Sequence, residues 1–577
     1  MRILIEGYQY RVSDISSVLH GIDAMENIEG KVTINYVGYY YNTLLDDCVF
    51  ILPKVLLKDE GGEEKVLGLY KPEEVVNLRE DGPLKSFLYK FAVWIYRAIV
   101  VYKNDNCNES SIIYHTKIAR LGGHYKRITN TYLDVLLSLI QFNRDNQQFF
   151  FTTVKNIHSG HNKINWTRTV NSRTAYIQDS IPVYLNPVNK KRVINFDEEL
   201  IIIFYSILNY ISDTYGFPKP TTCNYQLITG KHFRVYLSGL GKNRLRQIKY
   251  KYYSDKALQL WQLCYHFFDE AGQVCVSATN KEYLLAKNFY VVFEAIIDKL
   301  ISDNPLPDGM KKEQEDGKVV DHLFTSKSLL NASADQYYIG DSKYYKIGHN
   351  VSPESVYKQY TYARNVIQSN LDIFNEGKTP ESGIELRDNL TEGYNIVPNF
   401  FISSKLDEDL DYGLDGIEKS QKTNNKYKKL QFQNRLFDRD TLLVYHYDVN
   451  FLFVLSLYAR NNVAQMSEWR SKVREKFRVE IQGWLNEDYD FYVLSPRKNI
   501  DVEQYITHNF KKLIGKIYKP YKDESIYSLA LEKSTIFQEE NQQLLEYLTQ
   551  SFYVEKCLLG ENMKAVVYRD KLYKCGI

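Results

Sequence analysis

Two aspartates and a lysine in the second half of the chain have the residue types and spacing to hydrolyse a phosphodiester. Asp321 is the one carboxylate in the apolar run Lys318–Thr325, and Asp341 and Lys343 follow in Tyr337–Lys346. Both runs are rich in β-branched and aromatic residues and end in polar stretches, which predicts strands. Side chains alternate along a strand, so Asp341 and Lys343 leave one face and Ser342 the other. If the strands pair, Asp321 and Asp341 converge on one cation with Lys343 beside it. Carboxylate oxygens are hard donors suited to Mg2+, which also takes phosphate oxygens. An adjacent ammonium can orient and deprotonate the attacking water, or stabilise the charge developing on the phosphate. The spacing alone is a loose signal, since it also describes two solvated strand-end aspartates and a surface lysine.

The flanking elements narrow it. Upstream, Tyr283–Ser302 reads as one helix, with Leu285, Phe289, Val292, Phe293, Ile296 and Leu300 at the spacing of a buried stripe. Glu294 is the only charge in Phe289–Ile297. A carboxylate in so apolar a run is costly unless it is paired or holds a metal, or else lies on the helix's solvent edge. Downstream, Ser352, Pro353 and Glu354 make a helix start: a hydroxyl cap, proline at the first helical position and an acid in the first turn. That helix, read to Gln368, carries Gln359 and Tyr362 three apart on one face. Helix, strand, strand, helix, with Glu294, Asp321, Asp341, Lys343 and Gln359 in that order, is far rarer than the motif by itself. In this reading Asp321, Asp341 and Glu294 hold the metal, Lys343 orients water and Gln359 supports the site.

The set follows the PD-(D/E)xK nuclease pattern without its proline. Leu285–Ile297, Val319–Phe324, Ile339–Ile347 and Tyr357–Arg364 resemble the nuclease core of LlaJI-type restriction endonucleases, relatives of the McrC subunit of McrBC-type systems. The likeness extends to Phe91–Ile99, Asn162–Thr169 and Asn195–Leu200, covers most of the chain and thins after about Pro496. The resemblance implies a DNA endonuclease of a restriction system that uses Mg2+, with Mn2+ able to substitute. It also implies double-stranded DNA as substrate and an McrB-like AAA+ GTPase as partner. No Walker-type Gly-x4-Gly-Lys-Ser/Thr occurs, so the chain itself binds no nucleotide through a P-loop. A non-catalytic DNA-binding or scaffold subunit that recruits a motor is the competing class, and a lone nuclease is a third.

Composition sets the remaining bounds. A chain of 577 residues, 44% apolar and 25% charged, is ordinary for a soluble protein and too long for one core. Its net charge of +2 means that any nucleic-acid surface must be a local concentration of cations. Seven cysteines with no C-x2-C pair indicate neither a zinc ribbon nor a disulfide framework, in keeping with a reducing cytoplasm. No signal-peptide layout opens the chain. The most apolar stretch, Phe87–Tyr102, is broken by Lys90 and Arg97 and too short to span a bilayer, so no membrane association is expected.

The expected architecture is mixed α/β and multidomain. Residues 1–143 form an N-terminal α+β domain, and 144–278 an arm followed by a helical, basic region. Residues 279–462 form the PD-(D/E)xK restriction-endonuclease-like core, and 463–577 a C-terminal helical extension. In the arm, Phe149–Val154 and Asn165–Val170 read as strands around a polar turn with His158 and His161, too few ligands for a metal. By the resemblance this hairpin arm enters the partner ring, and Lys163 and Arg168 are the cations that would stimulate its GTPase. Lys231, Arg234, Lys242, Arg244, Arg246, Lys249 and Lys251 form an acid-free basic stretch interleaved with Phe233, Tyr236, Tyr250, Tyr252 and Tyr253. That is either a DNA-tracking surface or a solvated helix face. Asp407–Glu418 matches an EF-hand loop at its acidic positions but has Tyr412 in place of the glycine, so a solvated acidic loop is the better reading.

Overall fold

The computed structural model describes residues 2–19, 26–28, 30–42, 44–45, 47–76, 83–105, 113–115, 126–129, 132–146, 151–157, 163–195, 198–215, 217, 219–220, 225–252, 254–269, 274–277, 283–306, 312–313, 319–349, 351–375, 383–420, 426–429 and 432–567. Over them the protein is mixed α/β and multidomain, with several separate sheets. No helix among the described residues is long and apolar enough to cross a membrane.

The first unit contains strands β1 (Arg2–Ile5), β2 (Tyr36–Asn42) and β3 (Asp47–Leu52), helix α1 (Pro83–Asp105), strand β4 (Ile113–His115) and helix α2 (Tyr132–Asp145). Helix α1 is apolar around most of its circumference and is buried accordingly, from Phe91 through Ile99. Its buried guanidinium, Arg97, donates to the carbonyls of Tyr215 (3.3 Å) and Ala459 (3.2 Å) and lies over the Phe217 ring.

An arm follows. Strands β5 (Phe151–Ile157) and β8 (Asn189–Asn195) pair antiparallel over seven residues. They enclose helix α3 (Trp166–Ser172) and a small hairpin, β6 (Tyr176–Gln178) with β7 (Ile181–Val183). Asn165–Val170 is therefore helical where a strand was expected, because the Asn165 side chain caps the helix by accepting from the Arg168 amide at 3.3 Å. The turn with His158 and His161 lies outside the described residues. Four helices follow the arm: α4 (Glu199–Tyr215), α5 (Gly230–Val235), α6 (Gly241–Ile248) and α7 (Asp255–Phe268).

The expected helix over Tyr283–Ser302 is two elements. Residues Tyr283–Lys287 form β9, which closes the first sheet in the order β1-β3-β2-β9-β4. Asn288 then turns left-handed (φ 54°) into α8 (Phe289–Ile301). A short apolar run satisfies strand and helix periodicity alike, and here the sheet edge takes it. The pairing is close: a Cβ on Gly38, itself at φ +141°, would lie 2.1 Å from the Leu284 carbonyl oxygen.

The second major sheet holds strands β10 (His322–Lys327), β11 (Asp335–Lys343), β12 (Asn399–Lys405), β13 (Ile417–Lys419), β14 (Lys426–Lys429) and β15 (Leu442–Asn450), with helix α9 (Pro353–Asn375) between β11 and β12. The strand order is β10-β11-β12-β15-β13, and β14 also pairs with β15. β10 and β11 are antiparallel, whereas β11, β12 and β15 are parallel. Both faces are covered. Helices α8 and α10 (Phe451–Arg460) pack with Phe324, Tyr338 and Phe400, while α9 covers Leu323, Ile339 and Phe401. A Cβ on Gly340 would fall 2.4 Å from the Phe400 ring, so that glycine lets the ring lie across β11.

The C-terminal part is not purely helical. After the long helix α11 (Val463–Asp488) come β16 (Tyr489–Pro496), β17 (Ile517–Tyr518), β18 (Tyr527–Glu532), helix α12 (Gln538–Thr549) and β19 (Phe552–Cys557). The four strands form an antiparallel sheet, β17-β18-β16-β19, over a core of its own that includes Leu494, Leu529, Leu548 and Phe552. The continuous aromatic and β-branched run Phe491–Leu494 is the strand signal that the expectation of helices passed over.

Candidate active site

The two runs that carry Asp321, Asp341 and Lys343 do pair. Their register sets His322 against Gly340, so Asp321, one residue before β10, stands opposite Asp341. Alternation sends both carboxyls, with Lys343, to the face covered by α9, and sends His322 and Ser342 to the face covered by α8. Asp341 is buried, while Asp321, Glu294 and Lys343 are partly exposed. The site is thus dry at its base and open at its rim.

Each group is fixed by a neighbour. The Ser342 amide donates to Asp321 Oδ2 at 3.1 Å. Lys343 Nζ forms an ion pair with Asp341 Oδ2 and lies 5.4 Å from the centre of the Phe401 ring. Burial, then the hydrogen bond and charge of Asp341, push the Asp321 carboxyl far above the usual carboxylate range. Burial and the charge of Asp341 likewise raise Glu294 to about 7, against the opposing pull of Lys343, Lys358 and Lys312. Three acids therefore sense one another around one ion-paired lysine, and the local charge is too negative to be held comfortably as carboxylates.

That excess is the fit test for a cation. Oxygen donors facing each other with surplus negative charge suit a hard divalent ion, which would return Asp321 and Glu294 to their charged forms. Among the described residues, however, no group of three or more His, Cys, Asp or Glu side chains stands close enough together to hold a metal by itself. Glu294 bears on the aspartate pair through charge.

Gln359 makes its contacts with β12. It is buried, and its side-chain amide donates to Asn399 Oδ1 while Asn399 Nδ2 donates back to the Gln359 carbonyl at 3.2 Å. It ties α9 to the start of β12. The α9 residues that sense the aspartates are Lys358 and Tyr362. Burial opposes the charge on Lys358, but its bond to Tyr362 and the charges of Asp341 and Asp321 raise it above the ordinary lysine range. Lys358 Nζ lies 5.4 Å from the Tyr362 ring centre. Their separation of four, one helical turn, was the signal available in the sequence. Farther along the sheet's chain, Asp440 is paired with Arg364 at 2.7 Å, and Asp448 is buried beside His446.

The other candidate residues lie apart from this centre. In the basic stretch, Lys242 pairs with Asp269 (2.9 Å), Arg244 with Glu199, and Lys251 with Glu199 at 4.0 Å. Arg246 donates to the Tyr265 hydroxyl (3.0 Å), and Lys249 sits 4.9 Å from the Trp261 ring centre. Phe233 and Tyr252 are buried, and Tyr250 is exposed. Lys231, Arg234 and Lys249 are exposed on this helical surface. Tyr253 lies outside the described residues. On the arm, Lys163 and Arg168 are exposed, as are the apolar side chains of Trp166, Ile177, Ile181 and Leu185. In the acidic loop, Asp407 and Glu418 both pair with Lys405, and Asp415 accepts from Trp469 and Lys472. These three carboxylates are engaged by the protein's own donors.

Compared with protein-family models, with curated proteins and with solved structures, the chain matches none.

Proposed function

We propose that the protein is a Mg2+-dependent DNA endonuclease of a restriction system, with Mn2+ able to substitute, working with an McrB-like AAA+ GTPase. The observation that carries this reading is the opposition of Asp321 and Asp341 across β10 and β11, with Lys343 paired to Asp341 on the same face. When bound there, the divalent ion supplies Lewis-acid stabilisation of the scissile phosphate and of the leaving oxygen. The chain's own groups do the rest. Asp321 is oriented by the Ser342 amide, and Asp341 holds the Lys343 ammonium where it meets the attacking water. Glu294, charged once the ion is bound, adds negative potential beside the aspartate pair that favours the divalent ion. Lys358 adds positive charge from α9 for the phosphate backbone.

Two further features support the wider reading. The arm exposes Lys163 and Arg168 together with several large apolar side chains, as a part that docks on a partner would. The helices after it expose Lys231, Arg234 and Lys249, which suit phosphate contacts that fix affinity rather than sequence. The test is cleavage of plasmid and phage DNA with Mg2+, with and without the GTPase and GTP, beside Asp341→Ala and Lys343→Ala. Cutting that needs partner and GTP and is lost in both variants is the expected result. Cutting without the partner indicates a lone nuclease. DNA binding with no cutting under any condition indicates the scaffold reading, and cutting that survives both substitutions places the active site elsewhere.

A further inference from the structure

Behind the aspartate pair, on the α8 face of the same two strands, lies a second chain of polar groups. His322 follows Asp321 directly, and Ser342 lies between Asp341 and Lys343, so alternation turns both away from the carboxyls. The His322 ring is fully buried, and its Nε2 is hydrogen-bonded to the hydroxyl of Ser342, itself 5% exposed. Its Nδ1 faces Asp298 Oδ1 of α8 at 3.4 Å. Lys312 Nζ pairs with Asp298 at 2.5 Å and donates to the main-chain carbonyl of Asp321 at 2.7 Å. The Ser342 amide, in turn, donates to Asp321 Oδ2 at 3.1 Å. The contacts close a ring: Asp298, His322, Ser342, Asp321, Lys312 and back to Asp298.

We propose that Asp298, His322, Ser342 and Lys312 are positioning residues that fix Asp321 against Asp341 from the opposite face of the sheet. The inference rests on the reading of that pair as the metal-bearing carboxylates. An ionised Asp298 only accepts, so His322 donates from Nδ1 and offers the lone pair of Nε2 to the Ser342 hydroxyl. One tautomer is thereby selected, and the hydroxyl of Ser342 is locked in one direction. Burial alone would raise the Asp298 carboxyl, but His322 and Lys312 outweigh it and take the group down to about 2, so the acceptor is charged across the working range. A serine, a histidine and an aspartate in this order resemble a nucleophilic triad, but a hydroxyl and an imidazole so deeply buried cannot meet a substrate. What they reach is Asp321, held at its side chain by the Ser342 amide and at its carbonyl by Lys312. Groups that orient a ligating carboxylate in this way govern metal affinity nearly as strongly as the ligands do.

The experiment is calorimetric titration of the full chain with Mn2+, with the melting temperature of every variant measured alongside. The variants are Asp341→Ala, His322→Leu, His322→Gln and Asp298→Asn. Mn2+ binding by the wild type and its loss in Asp341→Ala are expected. His322→Leu and Asp298→Asn should each weaken Mn2+ by about 10-fold or more without a matching loss of melting temperature. His322→Gln, which returns an acceptor near the Nε2 position, should recover part of it. If His322→Leu does not fold, Asp298→Asn, at a part-exposed position, decides the matter alone. Binding within about twofold of wild type in every folded variant except Asp341→Ala overturns the positioning role and leaves the metal reading standing. A wild type that takes up no Mn2+, or an Asp341→Ala protein that binds it equally well, overturns the metal reading and this inference with it.

Discussion

Replacing Asp321 by Asn should stabilise the metal-free protein at alkaline pH while abolishing cleavage. Burial and then Asp341 push the Asp321 carboxyl up to about 10, whereas in an unfolded chain such a group titrates near about 3.9. Between these values the native state keeps a proton that the unfolded state has released. The group's contribution to stability is therefore full below about pH 4 and is lost progressively as pH rises towards 10. At pH 8 the distance from the unfolded value is roughly four units, and at 1.36 kcal/mol per unit that sets a ceiling of about 5 kcal/mol. Asp321 is partly exposed, and an effective dielectric near about 20 brings the expected cost down to about 2 kcal/mol. Asn keeps the shape and an acceptor for the Ser342 amide, removes the charge, and so escapes that cost.

The assay is melting in EDTA at pH 6 and pH 8.5, wild type against variant. Amide exchange over residues 319–343 would be followed as a local readout, because a multidomain chain does not unfold in one step. For a domain of 150–250 residues about 2 kcal/mol corresponds to roughly 4–8 °C at the higher pH, and about half of that should remain at pH 6, which already lies roughly two units above the unfolded value. Glu294, raised to about 7, keeps its own part of the pH slope in both proteins, losing its contribution as pH climbs from its ordinary range through 7. Mg2+ should stabilise the wild type and leave the variant unchanged. An Asn variant that is no more stable than wild type at pH 8.5, or that shows the same pH slope, would refute the claim that the pair carries excess negative charge.

Three other outcomes follow from the same geometry. Lys343→Met should retain or strengthen Mn2+ binding, since it removes a cation from beside Asp341, yet cut cleavage by about 10³-fold; calorimetry and plasmid nicking separate the two effects. Lys358→Met should lower cleavage about 100-fold with metal binding little changed, whereas Gln359→Leu should act on stability, by about 1–3 kcal/mol of lost contact with Asn399. Changing Lys231, Arg234 and Lys249 together to Glu should weaken DNA binding and reduce its salt slope by about 3, whereas Arg244→Gln, at a cation already paired with Glu199, should barely alter it; filter binding across salt concentrations distinguishes them.

The parts of the site legible in the sequence were those that local rules determine. Runs rich in β-branched and aromatic residues identified β10 and β11, and their register brought Asp321 to Asp341. The Ser352–Pro353 start likewise gave the beginning of α9, although the helix runs on past the expected Gln368 to Asn375. Local rules failed where a short run fits two periods or where a side chain caps a turn. Leu284–Ala286 has the composition of a helix start but lies between β2 and β4, and the Asn165 cap makes a helix of an apparent strand. Gln359, three residues from Tyr362 on the same helix, bonds Asn399 at the start of β12, while Lys358 and Tyr362 sense the aspartates. Asp298 and Lys312 could not have been found in this way. Their contacts with His322 and with the Asp321 carbonyl depend on how α8 crosses the sheet, which no spacing encodes.

The lysine's strand is also held from its far end, and this is why the first sheet belongs to any account of the site. Immediately after Lys343 the chain leaves the second sheet and meets the N-terminal unit. The Tyr344 hydroxyl donates to the buried Glu6 at 2.5 Å and accepts from the Lys54 amide at 3.0 Å. Two residues on, Lys346 donates to the Gly7 carbonyl at 3.2 Å, and the Ile347 amide to the Leu57 carbonyl at 2.9 Å. Burial raises the Glu6 carboxyl against the opposing pull of the Tyr344 hydroxyl and Lys54, so this contact too is made in a dry setting. At the other side, β9 leaves the first sheet through Asn288 straight into α8, which bears Glu294 and Asp298. An ammonium on a flexible four-carbon stem is useful only if its backbone cannot drift. Lys343 meets that condition because Asp341 holds its head, the pairing of β11 with β12 holds its main chain, and the N-terminal unit holds the residue that follows.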